Sequence, residues 1–519
     1  MERAHGQVIA SVCLLIILLV AGVSRASEAG EHALAGRGQA LQSIDDAIAV
    51  LGDAAAHGIE IRAADIAALE AARSDIKMGR WEAAWQADLQ TFIVEALLEY
   101  AVDFTIGRDN PSRNAIADMR AALEAATEAG QIPAWYTARI PADPGYHLLR
   151  AAMQRLVDSA AATPWPTVGA GPSLVPGDTG ERVARLRARL GLQPYNDSDA
   201  VFDARLMEAV IAYQRRHGLD ADGFVGRQTR EHLDVPFEQR VEQIRTNLER
   251  WRRGDFESNG KQVRVNLPSY ELEYRDGHGF FGRMRVVIGS TGNPTPLLTD
   301  TIKYLVFSPY WFVPERITLR EIVPKLHSDS GYLERLNFDV LAKESHQPVS
   351  SVDWAEMRRG NFPYYLRQRP GSKNSLGRAK FIFPNDKNIY LHDTSSPQLF
   401  QNSRRAYSHG CIRVENARLL AEWLLQDRPD WNGIAIEDAM DAGKPERVVL
   451  SNSVPIIITY FTAVAHDSGA ISFYDDVYAY DSEHNGAMAS TYLPERSVQD
   501  LNGPRLAMNR ESRSSANTP

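Results

Sequence analysis

Apolar and polar positions change period several times along this chain, and each change marks a different kind of element. From Val8 to Val23 the text "VIASVCLLIILLVAGV" carries no charge; it follows Arg3 and leads into "SRASEAG", with Ser24 and Ala26 where small residues flank a cleavage site. Residues 1–26 are expected to be a secretory signal peptide, or an N-terminal anchor if retained, although these sixteen residues fall short of the roughly 20 that a membrane span needs. Over 27–165 apolar residues recur every three or four positions in Ala-, Leu- and Glu-rich text such as "IRAADIAALEAARSDIKMGRWEAAWQADLQTFIVEALLEYAVDF", with a further helix expected over 114–129. That is the period of amphipathic helices, and it predicts a helical scaffold domain without a catalytic constellation.

"AATPWPTVGAGPSLVPGD" is rich in Pro and Gly and reads as a linker. Helical spacing returns over 172–236 at Val183, Leu186, Leu190, Ala209, Val210, Ala212, Tyr213 and Leu219. Turns are expected at Asp222, Gly223 and Gly226, and Thr229 opens a last short helix, giving a small three-helix bundle. From Gln262 the period drops towards two: "QVRVNLPSYELEYR", "MRVVIGST", "IKYLVFSPYWFVP" and "AKFIFPNDKNIYLHDT" read as strands. A helix is expected over 416–427, with Asn416 as cap and Leu419, Leu420, Trp423 and Leu424 as its apolar face. "VPIIITYFTAVAHDSGAISFYDDVYAY", within 439–481, reads as a hairpin that finishes the sheet, and 482–519 is a loose polar tail. The fold class expected is multidomain α + β: a helical N-terminal region, a small three-helix module, and a mostly-β domain over 258–438 interrupted by a helical and loop insertion over about 311–378.

Composition narrows the function. Hydrophobic residues make up 44% and charged residues 24%, ordinary for globular protein, and the formal net charge of -9 argues against a nucleic-acid partner. The chain has two cysteines, Cys13 within the apolar leader and Cys411 in "AYSHGCIRVENA". If the leader is cleaved, Cys411 stands alone in an oxidising compartment, where a lone thiol points to reactivity. A thiol attacks carbonyls as thiolate and needs a base or a positive field nearby. His392 in "NIYLHDT", His409 and Arg413 are the candidates. If the stretch around Cys411 is extended, His409 and the thiol share one face. The planar guanidinium of Arg413 suits a substrate carboxylate, and the backbone N–H groups of Gly410 and Cys411 suit an oxyanion hole. A zinc site from His392, Asp393, His409 and Cys411 is the competing reading, but their spacing lacks the usual ligand pairs.

Two resemblances add to this. "GDTGERVARLRARLG" and "YQRRHGLDADGFVGRQT" resemble the peptidoglycan-binding three-helix module, with Tyr213 where Phe is usual. "SHGCIRV" with upstream "YLHDT" resembles the signature of the L,D-transpeptidase catalytic domain, H-x-T…[ST]-x-G-C-[IV]-R, and the segments "YWFVPERITLREIVPKL" and "QRPGSKNSLGRAKFIFPNDKNIYLHDT" resemble its large periplasmic branch. The resemblance implies Cys411 as nucleophile, His392 as proton donor and acceptor, Tyr390 and Arg413 as substrate-binding residues, and no metal or organic cofactor. His409 either tunes the thiol or supports the loop, and His392 is oriented either by Asp393 or by a backbone carbonyl. The implied activity is 3→3 cross-linking of peptidoglycan through a cysteinyl thioester in the periplasm. Alternatives are an L,D-carboxypeptidase, a thiol amidase, or a catalytically weak wall-binding scaffold. Implied partners are stem peptides, glycan and cell-wall synthesis proteins, with membrane contact only through an uncleaved leader. Residues 358–380 hold seven basic residues and no acidic one, with Phe362, Tyr364 and Tyr365 interleaved, which predicts a lid closing over an anionic stem peptide.

Overall fold

The strands that begin at Gln262 close on themselves. In the computed structural model, which describes residues 35–482 apart from 108–111, 161–164, 193–200, 255, 257–259, 278 and 360, they form a barrel behind two helical units. The expected leader at 1–26 and the tail from 483 onwards lie outside the described residues.

Helices α1 (35–53), α2 (Ala63–Lys77), α3 (Gln86–Thr105), α4 (Arg113–Glu128) and α5 (Ile132–Thr137) bury a shared core that includes Ile44, Leu51, Leu69, Ile93, Leu97 and Leu123. Ser112 caps α4 by accepting the Ala115 N–H at 3.1 Å, satisfying one of the donors that a helix start leaves unpaired. Helix α6 (Pro144–Ala160) leaves this bundle. Its Tyr146, Leu149 and Met153 pack with Ile244, Leu248 and Trp251 from further along the chain.

Helices α7 (Glu181–Arg189), α8 (Ala204–Arg216) and α9 (Arg227–Leu233) make the second unit around Val183, Leu186, Leu206, Val210, Tyr213 and Leu219. Ala212, expected inside, is exposed. Leu206 takes the inner position, because Leu206, Val210 and Tyr213 follow the four-then-three spacing of a single helix face. The Tyr213 hydroxyl has a use that Phe could not supply: it donates to His232 Nδ1 at 2.7 Å. Helix α10 (Phe237–Arg253) then leads into the barrel.

The barrel strands are β1 (Gln262–Asn266), β2 (Glu271–Asp276), β3 (Gly279–Gly289), β4 (Leu298–Phe307) and, after an insertion holding β5 (Trp311–Val313), β6 (Phe338–Ala342) and β7 (Tyr364–Gln368), β8 (Ala379–Ile382), β9 (Leu391–His392), β10 (Ala406–Ser408), β11 (Ile412–Val414) and β12 (Glu446–Thr459). Their order is β3-β11-β9-β8-β4-β12-β1-β2, and β2 pairs back to β3, so no sheet edge is left open there. Strand β10 pairs parallel to the end of β3. Alternate positions point inward and are apolar: Val263 and Val265, Leu272 and Tyr274, Met284, Val286 and Ile288, Ile456 and Ile458. The helix Ala417–Leu424 closes the barrel with Leu420, Ala421, Trp423 and Leu424, and Asn416 caps it by accepting the Leu419 N–H at 2.9 Å. The expected combination of helical region, helical module and β-rich domain is the observed one.

The closing segment differs from expectation. Strand β12 completes the barrel between β4 and β1, but the hairpin of β13 (Ala463–Ala465) and β14 (Ile471–Phe473) is a separate two-stranded ladder. Phe461, Ala463, Ala465 and Phe473 find their apolar partners on α6 and α10 rather than on the barrel. The helical module is fixed to this hairpin through Phe473, whose N–H donates to His217 Nδ1 at 2.9 Å and whose carbonyl lies 3.0 Å from His232 Nε2.

The insertion, expected as helices and loops, also holds a small sheet. Strands β5, β7 and β6 form a three-stranded sheet that shares a core of Val313, Ile322, Leu326, Phe338 and Leu366 with the intervening helical turns. Its cations are largely paired: Arg367 and Arg369 with Asp339 at 2.7 and 3.1 Å, Arg378 with Glu437 at 2.5 Å. Lys380 belongs to barrel strand β8, not to the insertion.

Candidate active site

Cys411 occupies the turn between β10 and β11. Gly410 makes that turn with φ +116°, a conformation that side chains disfavour, and a Cβ there would lie 3.3 Å from Ile389 Cδ1. The stretch is therefore not extended through Gly410, and His409 does not share a face with the thiol. His409 Nε2 pairs instead with the Glu321 carboxylate of the insertion.

The turn is held from three sides. Ser408 Oγ accepts the Gly410 N–H at 3.1 Å and donates to the Cys411 carbonyl. Thr295 Oγ1 donates to the Gly410 carbonyl at 2.7 Å and accepts the Gly289 N–H at 2.9 Å. The Tyr478 hydroxyl donates to the Gly289 carbonyl at 2.7 Å and accepts the Thr295 N–H at 3.2 Å. Of the two backbone donors expected at an oxyanion hole, the Gly410 N–H already has an acceptor in Ser408.

His392 ends β9, which runs parallel to β11 with His392 opposite Arg413, and antiparallel to β8 with His392 opposite Lys380. The imidazole is 5% exposed, and its Nδ1 lies 2.5 Å from the Asp393 carbonyl. Nδ1 therefore carries the proton and Nε2 keeps its lone pair. Of the two candidates for orienting His392, the structure brings the backbone carbonyl. The Asp393 carboxylate turns the other way and accepts the Arg378 N–H at 2.8 Å. With the Asp393 carboxylate on Arg378 and His409 on Glu321, the four residues of the zinc reading do not converge.

Burial pushes His392 down to about 3, and the charges of Arg413 and Lys380 push in the same direction. Burial pushes the Cys411 thiol up, while Tyr390, Lys380 and Arg413 act to lower it. The resting site thus holds a neutral imidazole and a neutral thiol, whose Sγ lies 3.7 Å from the Asn388 carbonyl. Tyr390 is next to both: its ring is 5.7 Å from that of His392, and its carbonyl accepts the Ile412 N–H at 3.2 Å. Burial raises the Tyr390 hydroxyl far above its usual range, so it stays protonated.

Arg413 is partly buried, burial lowers its pKa, and its Nε has no hydrogen-bond partner among the described residues. The structure therefore gathers Cys411, His392, Tyr390, Gly410 and Arg413 and leaves His409 at the margin. Sequence reasoning missed Lys380, Ser408, Thr295, Tyr478 and Glu321. Lys380 carried a signal: it is a lysine set directly before the apolar run "FIF" in a segment read as a strand. Ser408 stands at the Ser/Thr position of the motif, and its contacts are local. Thr295 and Tyr478 act on backbone groups from distant segments, and Glu321 pairs with the His409 side chain from the insertion, contacts that leave no local pattern.

Comparison with known proteins matches two parts of the chain. Residues 260–447 match the model described as "L,D-transpeptidase catalytic domain", and residues 179–233 match that described as "Putative peptidoglycan binding domain". A curated relative from Haemophilus influenzae named "Putative L,D-transpeptidase" is 32% identical over 237 residues, 45% of this chain and 47% of the relative, so the match spans about half of that protein's length. Among solved structures, an L,D-transpeptidase fragment from Xylanimonas cellulosilytica aligns at 16% identity over 56% of this chain and 98% of its own, with a TM-score of 0.18. An L,D-transpeptidase from Mycobacterium smegmatis aligns at 12% identity over 38% of this chain and 58% of its own, also with a TM-score of 0.18. On the family matches, the chain carries a catalytic domain of the L,D-transpeptidase family preceded by a peptidoglycan-binding-type module.

Proposed function

We propose that this chain is an L,D-transpeptidase that forms 3→3 cross-links between peptidoglycan stem peptides in the periplasm, with Cys411 as nucleophile and His392 as proton acceptor and donor. The observation that carries the reading is the thiol on its glycine turn, with an uncharged imidazole one strand away and its Nε2 lone pair unprotonated.

The sulfur of Cys411 attacks the carbonyl of the third residue of a donor tetrapeptide as the thiol proton passes to His392 Nε2. The Cys411 N–H faces the resulting oxyanion. Collapse breaks the bond to the terminal D-Ala, whose amine leaves with the proton from His392, and a thioester remains on Cys411. The side-chain amine of a diaminopimelate on a second stem then attacks the thioester. His392 takes the amine proton, the carbon–sulfur bond breaks, and the proton returns to the sulfur. Tyr390 borders the donor peptide, and Arg413 holds one of its carboxylates. The module at 179–233 brings the wall polymer to the site. The insertion, docked on the nucleophile turn through Glu321 and His409, closes over the peptide.

Product analysis with purified muropeptides tests this. A cross-linked dimer with one D-Ala released per link supports it. Release of D-Ala with tripeptide alone as product makes the enzyme a carboxypeptidase.

A further inference from the structure

Lys380, His392 and Arg413 stand side by side on three neighbouring strands, β8, β9 and β11, in cross-strand register. Two basic side chains therefore flank one uncharged imidazole, although burial lowers the Lys380 pKa. Lys380 is partly buried on a barrel strand, and its ammonium lies 3.7 Å from the centre of the Tyr390 ring. The groups acting on the Cys411 sulfur are Tyr390, Lys380 and Arg413, with His392 beside them, and no carboxylate is among these. Asp393, the acid next to His392, accepts the backbone N–H groups of Arg378 and Thr394, while Glu415, nearest to Cys411 in sequence, is bound by Arg285, and Asp386, nearest to Lys380, pairs with Lys387. Holding a lysine away from water without a counter-ion is unfavourable, so this placement calls for an anion that forms in the site.

In a thiol–imidazole pair the thiolate is commonly held by a protonated imidazole. Here burial keeps the resting His392 uncharged, so the positive field on the resting thiol comes from the neighbouring cations. We propose that Lys380, braced on the face of Tyr390, is a further functional residue of the site and supplies the fixed positive charge that stabilises the Cys411 thiolate. Its position over the ring has a second effect. A cation on a phenol's π-face draws density from it and strengthens the hydroxyl as donor, and the Tyr390 side chain is among the groups that lower the Cys411 thiol. Lys380 acts on the reacting atom by field and through Tyr390, without taking up its proton. The inference rests on Cys411 being the reactive group of the proposed function.

The test is the pH dependence of Cys411 alkylation by iodoacetamide in the full chain, read at the Cys411 peptide by mass spectrometry so that Cys13 does not contribute. Wild type is compared with Lys380→Met, Lys380→Gln and Lys380→Arg. The neutral variants should move the profile to higher pH and slow alkylation at neutral pH about tenfold, while Lys380→Arg follows wild type. Melting temperatures are measured in parallel, and either neutral variant that melts like wild type decides the matter. Neutral profiles that superimpose on wild type overturn the proposal. So does an Arg variant displaced as far as the neutral ones, which would make the role one of packing. Release of D-Ala by Cys411→Ala is measured separately: its persistence would sink the transpeptidase reading while leaving the charge effect on the thiol to stand or fall by its own profile.

Discussion

Arg413 stands opposite His392 across the parallel pair of strands β11 and β9, and its buried Nε has no partner among the described residues. A partly buried guanidinium whose Nε lacks a partner is unfavourable in the empty protein. That cost is recovered when a substrate carboxylate arrives. Arg413→Met should therefore lower kcat/KM for D-Ala release about 10- to 100-fold, the loss of a charge-assisted hydrogen bond of roughly 1.5–3 kcal/mol. The melting temperature should hold or rise. Arg413→Lys should recover only part of the activity, since a point charge lacks the planar fork. Steady-state kinetics and thermal melts on the same preparations check both halves.

The imidazole of His392 is oriented by the Asp393 carbonyl, and the Asp393 side chain braces the Arg378 backbone. Asp393→Asn keeps an oxygen that can accept the Arg378 N–H, and it should retain activity within about threefold of wild type. Asp393→Ala leaves that N–H without its acceptor and should cost about 1–3 kcal/mol of stability. A large loss of activity in the Asn variant, with the fold intact, would assign the carboxylate to the catalytic set instead.

The turn that presents the thiol depends on Gly410. At φ +116° an alanine is strained, and its methyl group would press on Ile389 at 3.3 Å. Gly410→Ala should destabilise the chain by about 1–3 kcal/mol. Activity should fall further than this implies, because the same turn sets the sulfur and the Cys411 N–H. Denaturant melts and turnover measured together separate the two effects.

Buried histidines make stability depend on pH. Burial pushes His57 down to about 4 and His232 and His392 to about 3, whereas an unfolded histidine titrates near about 6.5. Below that value the unfolded chain takes up protons that the folded chain refuses, so stability falls as pH falls. Each such histidine contributes a slope of about 1.4 kcal/mol per pH unit between about pH 6 and about pH 4. Melts across that window should show a steep decline. His232→Asn should flatten it by one histidine's share, although that variant also loses the contact to Phe473.

Much of this architecture was legible as period and punctuation. The helix over Ala417–Leu424 announced itself through Asn416 and the spacing of Leu420, Trp423 and Leu424. The strands announced themselves through alternation, and the site through its motif. The sequence could not show which wall an apolar face would meet, so the hairpin of β13 and β14 was expected in the barrel when its partners lie on α6 and α10. Nor could it show that one glycine would turn His409 away from Cys411 towards Glu321, since the face a side chain takes depends on a backbone angle that Gly permits and does not dictate. Charge runs misled for a related reason: the basic stretch over 358–380 reads as one feature, yet its members divide between ion pairs of the insertion and a barrel strand beside the thiol.

The central claim is that Cys411 carries the acyl group of the donor. Its most direct test is the mass of the full chain after brief exposure to a disaccharide tetrapeptide, followed by peptide mapping. The account predicts an adduct equal to the donor less D-Ala, located on Cys411, labile to hydroxylamine and lost in Cys411→Ala together with D-Ala release. Release of D-Ala by Cys411→Ala at the wild-type rate, or an adduct mapped to another residue, would contradict it.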